Sequence, residues 1–159
     1  MFQPRYRRNV RYFLDTEFNG FCGALLSLAL VPEDGSEFYA TLAFDGELDP
    51  WVERHVLPYF DTVPVGLVGP RLSRADAAVE LAHYLAADPH PTIVADWPED
   101  IAQFCNLLMT GPGDMVRVPP ISFDLVPLGG FSTAANSAVP HNALHDARAL
   151  KEHILGLEP

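Results

Sequence analysis

Apolar positions along the chain fall into strand-length runs separated by stretches of helical period, and the order of these runs is mixed. Val10 to Phe18 (VRYFLDTEF) reads as a buried strand ending in carboxylates. Ala24 to Val31 is a second strand, and Pro32-Glu33-Asp34-Gly35 has the chemistry of a turn. Glu37 to Phe44 alternates β-branched, aromatic and small residues and predicts a third strand, closing a hairpin with the second. Three consecutive antiparallel strands thus open the fold. Asp49-Pro50 starts a helical segment reaching Leu57, with proline suited to the first turn, and Pro58 to Pro70 is irregular. Ser73 predicts an N-cap, and Ala75, Ala78, Val79, Ala82, Leu85 and Ala86 predict one apolar helical face up to Ala87.

Pro89 to Pro91 breaks that helix, and Thr92 to Ala95 predicts a fourth strand. Pro98 to Met109 follows as a helix whose inner face is Ile101, Phe104, Cys105 and Leu108, with Gly111-Pro112-Gly113 as its stop. Ile121 to Val126 predicts a fifth strand, Leu128 to Val139 a surface loop, and Asn142 to Leu155 a closing helix. The chain shows no repeat, coiled coil or low-complexity tail. Strands and helices in this order predict an α/β layering around a five-stranded mixed sheet, the first three strands antiparallel, flanked by helices.

Composition narrows the classes. A length of 159 residues predicts a single domain with a real core. The longest apolar stretch, Phe21 to Val31, is too short for a bilayer, which needs about 20 apolar residues. Met1 to Arg8 leads into a strand-like segment, without the apolar core of a secretory signal. Cys22 and Cys105 sit inside apolar runs and are expected as reduced core residues of a cytoplasmic protein. The net charge is −11, yet Arg5, Arg7, Arg8 and Arg11 are four of the ten basic residues. Residues 1–9 are expected as a flexible basic arm, either touching phosphates or simply solvated. So acidic a chain does not coat long nucleic acids, because such binding neutralises many phosphates. Gripping a few nucleotides at one end, with divalent cations, remains compatible with it.

The candidate chemistry lies in carboxylates at element ends. Asp15-Thr16-Glu17 closes the first strand, and residues two apart on a strand point the same way, so Asp15 and Glu17 can converge on one cation. Oxygen ligands suit Mg²⁺ or Mn²⁺ better than Zn²⁺. Asp-x-Glu is a common pattern on its own. However, His141-Asn142-Ala143-Leu144-His145-Asp146-Ala147 puts a histidine before the last helix and an aspartate inside it. At about 100° per residue, Asp146 falls at the margin of the stripe of Leu144, Ala147, Leu150, Lys151 and Ile154, facing inward. His145 falls on the far side, near Glu152, and is expected exposed. Between them, Asp96-Trp97-Pro98-Glu99-Asp100 joins a strand end to the first turn of a helix.

These motifs, in this order, resemble those of the DEDDh exonucleases, which include ribonuclease T, oligoribonuclease and proofreading subunits. That family carries Asp-x-Glu on the first strand, an Asp at a middle helix, and His, four residues, then Asp at the last helix. Here they correspond to Asp15/Glu17, Asp100 and His141/Asp146, with the Asp-Thr-Glu opening and the His141-to-Ala147 wording similar to the family's, and the Tyr12-to-Phe18 opening (YFLDTEF) similar to that of compact bacterial exoribonucleases. The middle motif departs from the usual Asn-x-x-Phe-Asp: Asp96 takes the place of Asn, and Asp96 or Glu99 stands as an alternative to Asp100 as the ligand.

The resemblance implies a ribonuclease H-like fold over the whole chain and two divalent cations, Mg²⁺ or Mn²⁺, held by Asp15, Glu17, Asp100 and Asp146. It implies His141 as general base and release of 5′-mononucleotides from the 3′ ends of single-stranded RNA, with DNA as the other possible substrate. Phe18 is a candidate for stacking on the terminal base, or else packs in the core, and Asn19-Gly20 for backbone approach to the 3′ sugar. A homodimer, as in ribonuclease T, is also implied. Trp51, Trp97 and the 58–70 region are candidate contact surfaces or ordinary packing elements. Two other readings stay open: a degenerate nuclease fold kept for partner binding, and a zinc module using His141, His145 and His153.

Overall fold

A computed structural model of the chain describes residues 9–159, so the expected basic arm lies outside the described residues except for Asn9. Five strands form one mixed sheet. They are β1 (Arg11–Phe18), β2 (Leu25–Pro32), β3 (Phe38–Thr41), β4 (Thr92–Ala95) and a last strand, Ser122–Leu125. The spatial order places β3, β2, β1, β4 and Ser122–Leu125 side by side. β2 runs antiparallel to both β1 and β3, whereas β4 runs parallel to β1 and to Ser122–Leu125. The predicted antiparallel opening is therefore present.

Helices cover both faces. α1 spans Pro50–His55, α2 Arg74–Leu85 and α3 Pro98–Leu108; a short α4 spans Thr133–Asn136 and the closing α5 Ala143–Leu157. Alternation along β1 sorts its side chains between two cores. Tyr12 and Leu14 join Leu28, Leu30, Ile93, Leu81, Leu85, Phe104 and Leu107 under α2 and α3. Phe13 joins Val94, Leu150 and Ile154 under α5, and Ala29 and Val31 meet Ala143, Leu144 and Ala147 nearby. A further cluster of Leu26, Val52, Val56 and Phe60 seats α1 against β2. Among the described residues, no helix is long and apolar enough to cross a membrane.

Several expectations change. The buried face of α2 is Ala77, Ala78, Leu81 and Leu85, while Val79 is 58 % exposed. In so alanine-rich a helix small side chains leave the phase open, and Leu81 and Leu85 decide it. Pro112-Gly113 does more than stop α3: it is the turn of a small hairpin whose strands are β5 (Met109–Gly111) and β6 (Asp114–Met115), making Ser122–Leu125 the strand β7. The predicted third strand ends at Thr41: Leu42 N still donates to Leu26 O of β2, but from there the chain pairs with Leu72, whose O accepts from Ala43 N. The 57–67 region holds two 3₁₀ turns, Leu57–Tyr59 and Val65–Leu67, and the expected 128–139 loop contains α4. Arg11, counted in the basic cluster and read within the first strand, begins β1 and pairs with Glu33 and Glu158.

Candidate active site

β1 and α5 bring the first and last motifs together. Asp15 and Glu17 share a strand face with Phe13, which packs on α5. Asp146 lies in the first turn of α5 and is buried, facing inward as the helical phase predicted; Asp15 is buried too, and Glu17 is half-buried. One ligand atom each of Glu17, His141 and Asp146 lie within 4.8 Å of one another, a grouping that can hold a metal ion. Asp15 Oδ2 and Asp146 Oδ1 are buried and have no hydrogen-bond partner among the described residues. Buried polar oxygens are nearly always satisfied, so two orphans on converging carboxylates fit hard divalent cations.

The electrostatics point the same way. Burial pushes the Asp15 carboxyl well above the ordinary range, and the charges of Asp100, Glu17, Asp146 and Asp96 add to the effect. Glu17 is raised to about 8 by burial, then by Asp146 and Asp100. Burial raises Asp100 to about 7 against the hydrogen bonding from Thr16. Asp146 is raised to about 6, again by burial, although Ser137 and the His141 N–H hold it down. Without a cation, so many carboxylates in one place favour protonation.

The middle motif resolves into distinct placements. Asp100 Oδ1 accepts from Thr16 Oγ1 at 2.6 Å and from Thr16 N at 3.1 Å, which carries α3 to the end of β1. Glu99 is turned elsewhere: its Oε2 accepts from Cys22 N at 2.9 Å. Asp96 is half-buried beyond the end of β4, near enough for its charge to act on Asp15, Asp100 and Asp146.

His141 precedes α5 with a left-handed backbone, φ 62°, and its N–H donates to Asp146 Oδ2 at 3.2 Å. The next residue, Asn142, caps α5 by accepting from Leu144 N and His145 N, and its Nδ2 donates to Tyr59 O at 2.8 Å. Trp51 packs edge-on against the His141 ring, centroids 4.7 Å apart, and lies against His55 on its other contact. Burial lowers the His141 pKa, as does the neighbouring His55. The imidazole is thus neutral and able to accept a proton near pH 7.

Phe18 is half-buried and follows a register shift in β1. Asn19 ties the next loop to α1: its Nδ2 donates to Glu47 O at 2.9 Å, and its Oδ1 accepts from Asp49 N at 2.7 Å. Asp49 in turn caps α1. Gly20 adopts φ 76°. On the other side, Gln103 Nε2 donates to Gly23 O at 2.8 Å, beside the Glu99–Cys22 contact. Cys22, expected in the core, is exposed in this loop, because the chain turns there before the second strand begins.

His145, expected exposed, is half-covered, with Nε2 at 2.8 Å from Thr62 O. His153 stacks on Phe131. Neither gathers with His141 among the described residues, which removes the histidine set of the zinc reading. Sequence reasoning missed Thr16 and Asn142 as supports and Trp51 as the neighbour of His141. The asparagine before a helix was a readable capping signal, whereas the Trp51 contact joins residues far apart in the chain.

No protein-family profile matches the chain. Two curated proteins from different strains of Mycobacterium tuberculosis, each named a 3′-5′ exoribonuclease, are 49 % identical to it over 53 residues. The matched stretch covers 31 % of this chain and 32 % of each relative, so the chain spans about a third of the length of the curated relatives it matches. Over that stretch it is similar to 3′-5′ exoribonucleases.

Proposed function

We propose that the protein is a divalent-cation-dependent 3′→5′ exoribonuclease of the DEDDh type, with residues 1–159 forming one ribonuclease H-like catalytic domain. The observation that carries this reading is the gathering of Glu17, His141 and Asp146 within 4.8 Å, with buried oxygens of Asp15 and Asp146 left unpartnered and Asp100 near enough for its charge to act on Asp15. The partial likeness to curated exoribonucleases supports RNA as substrate.

Asp15, Glu17, Asp100 and Asp146 are the residues that would hold two divalent cations, Mg²⁺ or Mn²⁺. Such cations, when bound, neutralise charge on a scissile phosphodiester and lower the pKa of a water. His141 takes the proton of the attacking water on an imidazole nitrogen. Water oxygen bonds to phosphorus, the bond to the 3′ oxygen of the preceding nucleotide breaks, and a nucleoside 5′-monophosphate leaves. Trp51 restrains the base by ring contact, and Asp146 restrains it by the backbone N–H. Phe18, Asn19 and Gly20 line the approach of the terminal nucleotide, with the Asn19 side chain fixing that loop to the start of α1. On the same resemblance the enzyme pairs with a second copy, which sedimentation reads directly.

The test is digestion of matched 5′-labelled RNA and DNA oligomers with Mn²⁺ or Mg²⁺. A ladder shortening from the 3′ end, with 5′-monophosphates released and no cleavage by Asp15→Ala, is the expected result. RNA left intact with either cation, but still bound, would identify a degenerate binding module instead.

A further inference from the structure

Thr16 is the middle residue of the Asp15-Thr16-Glu17 motif, and strand alternation turns it away from the face its neighbours share. β1 pairs with β4 only from Arg11 to Phe13. Beyond that point no strand pairs with β1 on this side among the described residues, and the first turn of α3 reaches it instead. The N–H of Thr16 consequently donates to the Asp100 carboxylate at 3.1 Å, and its hydroxyl donates to the same oxygen, Oδ1, at 2.6 Å. Thr16 is 5 % exposed and Asp100 4 %, so both bonds are shielded from water. Hydrogen bonds to an ionised group in a dry setting are the strong ones. Oδ2 of Asp100 takes part in neither bond.

We propose that Thr16 is a positioning residue of the cation site: its hydroxyl and N–H hold Asp100 by one oxygen, leaving the other available as a cation ligand. This rests on the nuclease reading above. The middle position of the motif then acts as the link that couples the strand carrying Asp15 and Glu17 to the helix carrying Asp100. The backbone N–H is available whatever the side chain, so the hydroxyl is the part a substitution can remove.

Thr16→Val and Thr16→Ala lack the hydroxyl, and Thr16→Ser keeps it. Two readouts are compared with wild type: the Mn²⁺ concentration that half-saturates RNA hydrolysis, and the one that half-saturates the Mn²⁺-induced rise in melting temperature. Loss of a hydrogen bond supporting a ligand costs about 10–100-fold in metal affinity, and a rise on that scale is expected for Val and Ala in both readouts. Thr16→Ser is expected to follow wild type, with KM for RNA at saturating Mn²⁺ unmoved in every variant. Folded Val or Ala variants with wild-type Mn²⁺ dependence would overturn the proposal, as would a Ser variant impaired as much as Ala. Wild-type protein insensitive to Mn²⁺ in both readouts would instead overturn the nuclease reading, and this inference with it.

Discussion

His141 occupies a backbone conformation that costs a non-glycine residue about 1–2 kcal/mol, with φ at 62°. Three contacts hold it there: its N–H on Asp146, the Trp51 ring, and the capping of α5 by the adjacent Asn142. Strain retained at a residue placed among buried carboxylates marks a geometric requirement. His141→Ala should reduce turnover by about 10²–10⁴-fold, the usual contribution of a general base. It should keep the Mn²⁺-induced rise in melting temperature, because Asp15, Glu17 and Asp146 remain. Loss of that rise would make the imidazole a ligand and not a base. Asn142→Ala acts differently. It removes a helix cap and one of two donors to Tyr59 O, which keeps the bond from Thr62 N, so urea unfolding should show a loss of about 1–2 kcal/mol.

At the scale of elements, the site depends on the loop between β1 and β2, which is braced on both sides. Asn19 fastens it to the start of α1, and Glu99 and Gln103 fasten it to α3. The loop closes tightly: a Cβ built at Gly23 would stand 1.9 Å from Asn19 O, a backbone atom that cannot swing aside. Gly23→Ala should therefore cost about 1–3 kcal/mol, the range for overpacking, and should raise KM for RNA as the loop shifts. A variant with wild-type stability and KM would show that the loop is not a rigid support. Much of this layer was legible. Thr92–Ala95 was read to the residue because prolines and a β-branched run bound it, and Ser73 was visible as a cap. Cys22 was misplaced because Phe21 and Cys22 continue the apolar run of β2, although the chain has turned at Gly20. The β5–β6 hairpin was missed since Gly-Pro-Gly marks an end as readily as a turn. The joining of Thr16 to Asp100 or of Trp51 to His141 is tertiary, and no local pattern carries it.

Across the whole molecule, a net charge of −11 and a knot of buried carboxylates make stability depend on protons and cations together. The folded state raises Glu17 to about 8, Asp100 to about 7 and Asp146 to about 6, whereas unfolded carboxyls titrate near 4. Between those values the native protein binds more protons than the unfolded chain, so its stability falls as pH rises. The contribution is complete below about pH 4 and is lost as pH climbs through the folded values toward about 8. His141 works in the opposite sense, since its lowered pKa penalises the native state only when pH falls below the ordinary imidazole value of 6.5. In EDTA, the melting temperature should therefore decline from pH 6.5 to 8.5. General repulsion among surface acids gives a similar slope, and Asp15→Asn separates the two, flattening the decline only if it arises at the site. Because cations and protons compete for the same oxygens, Mn²⁺ should raise the melting temperature more at pH 8 than at pH 6. A melting temperature in EDTA that is level across this range, for wild type and Asp15→Asn alike, would mean that the carboxylates do not share one buried charge problem, and the cation would have no protons to displace.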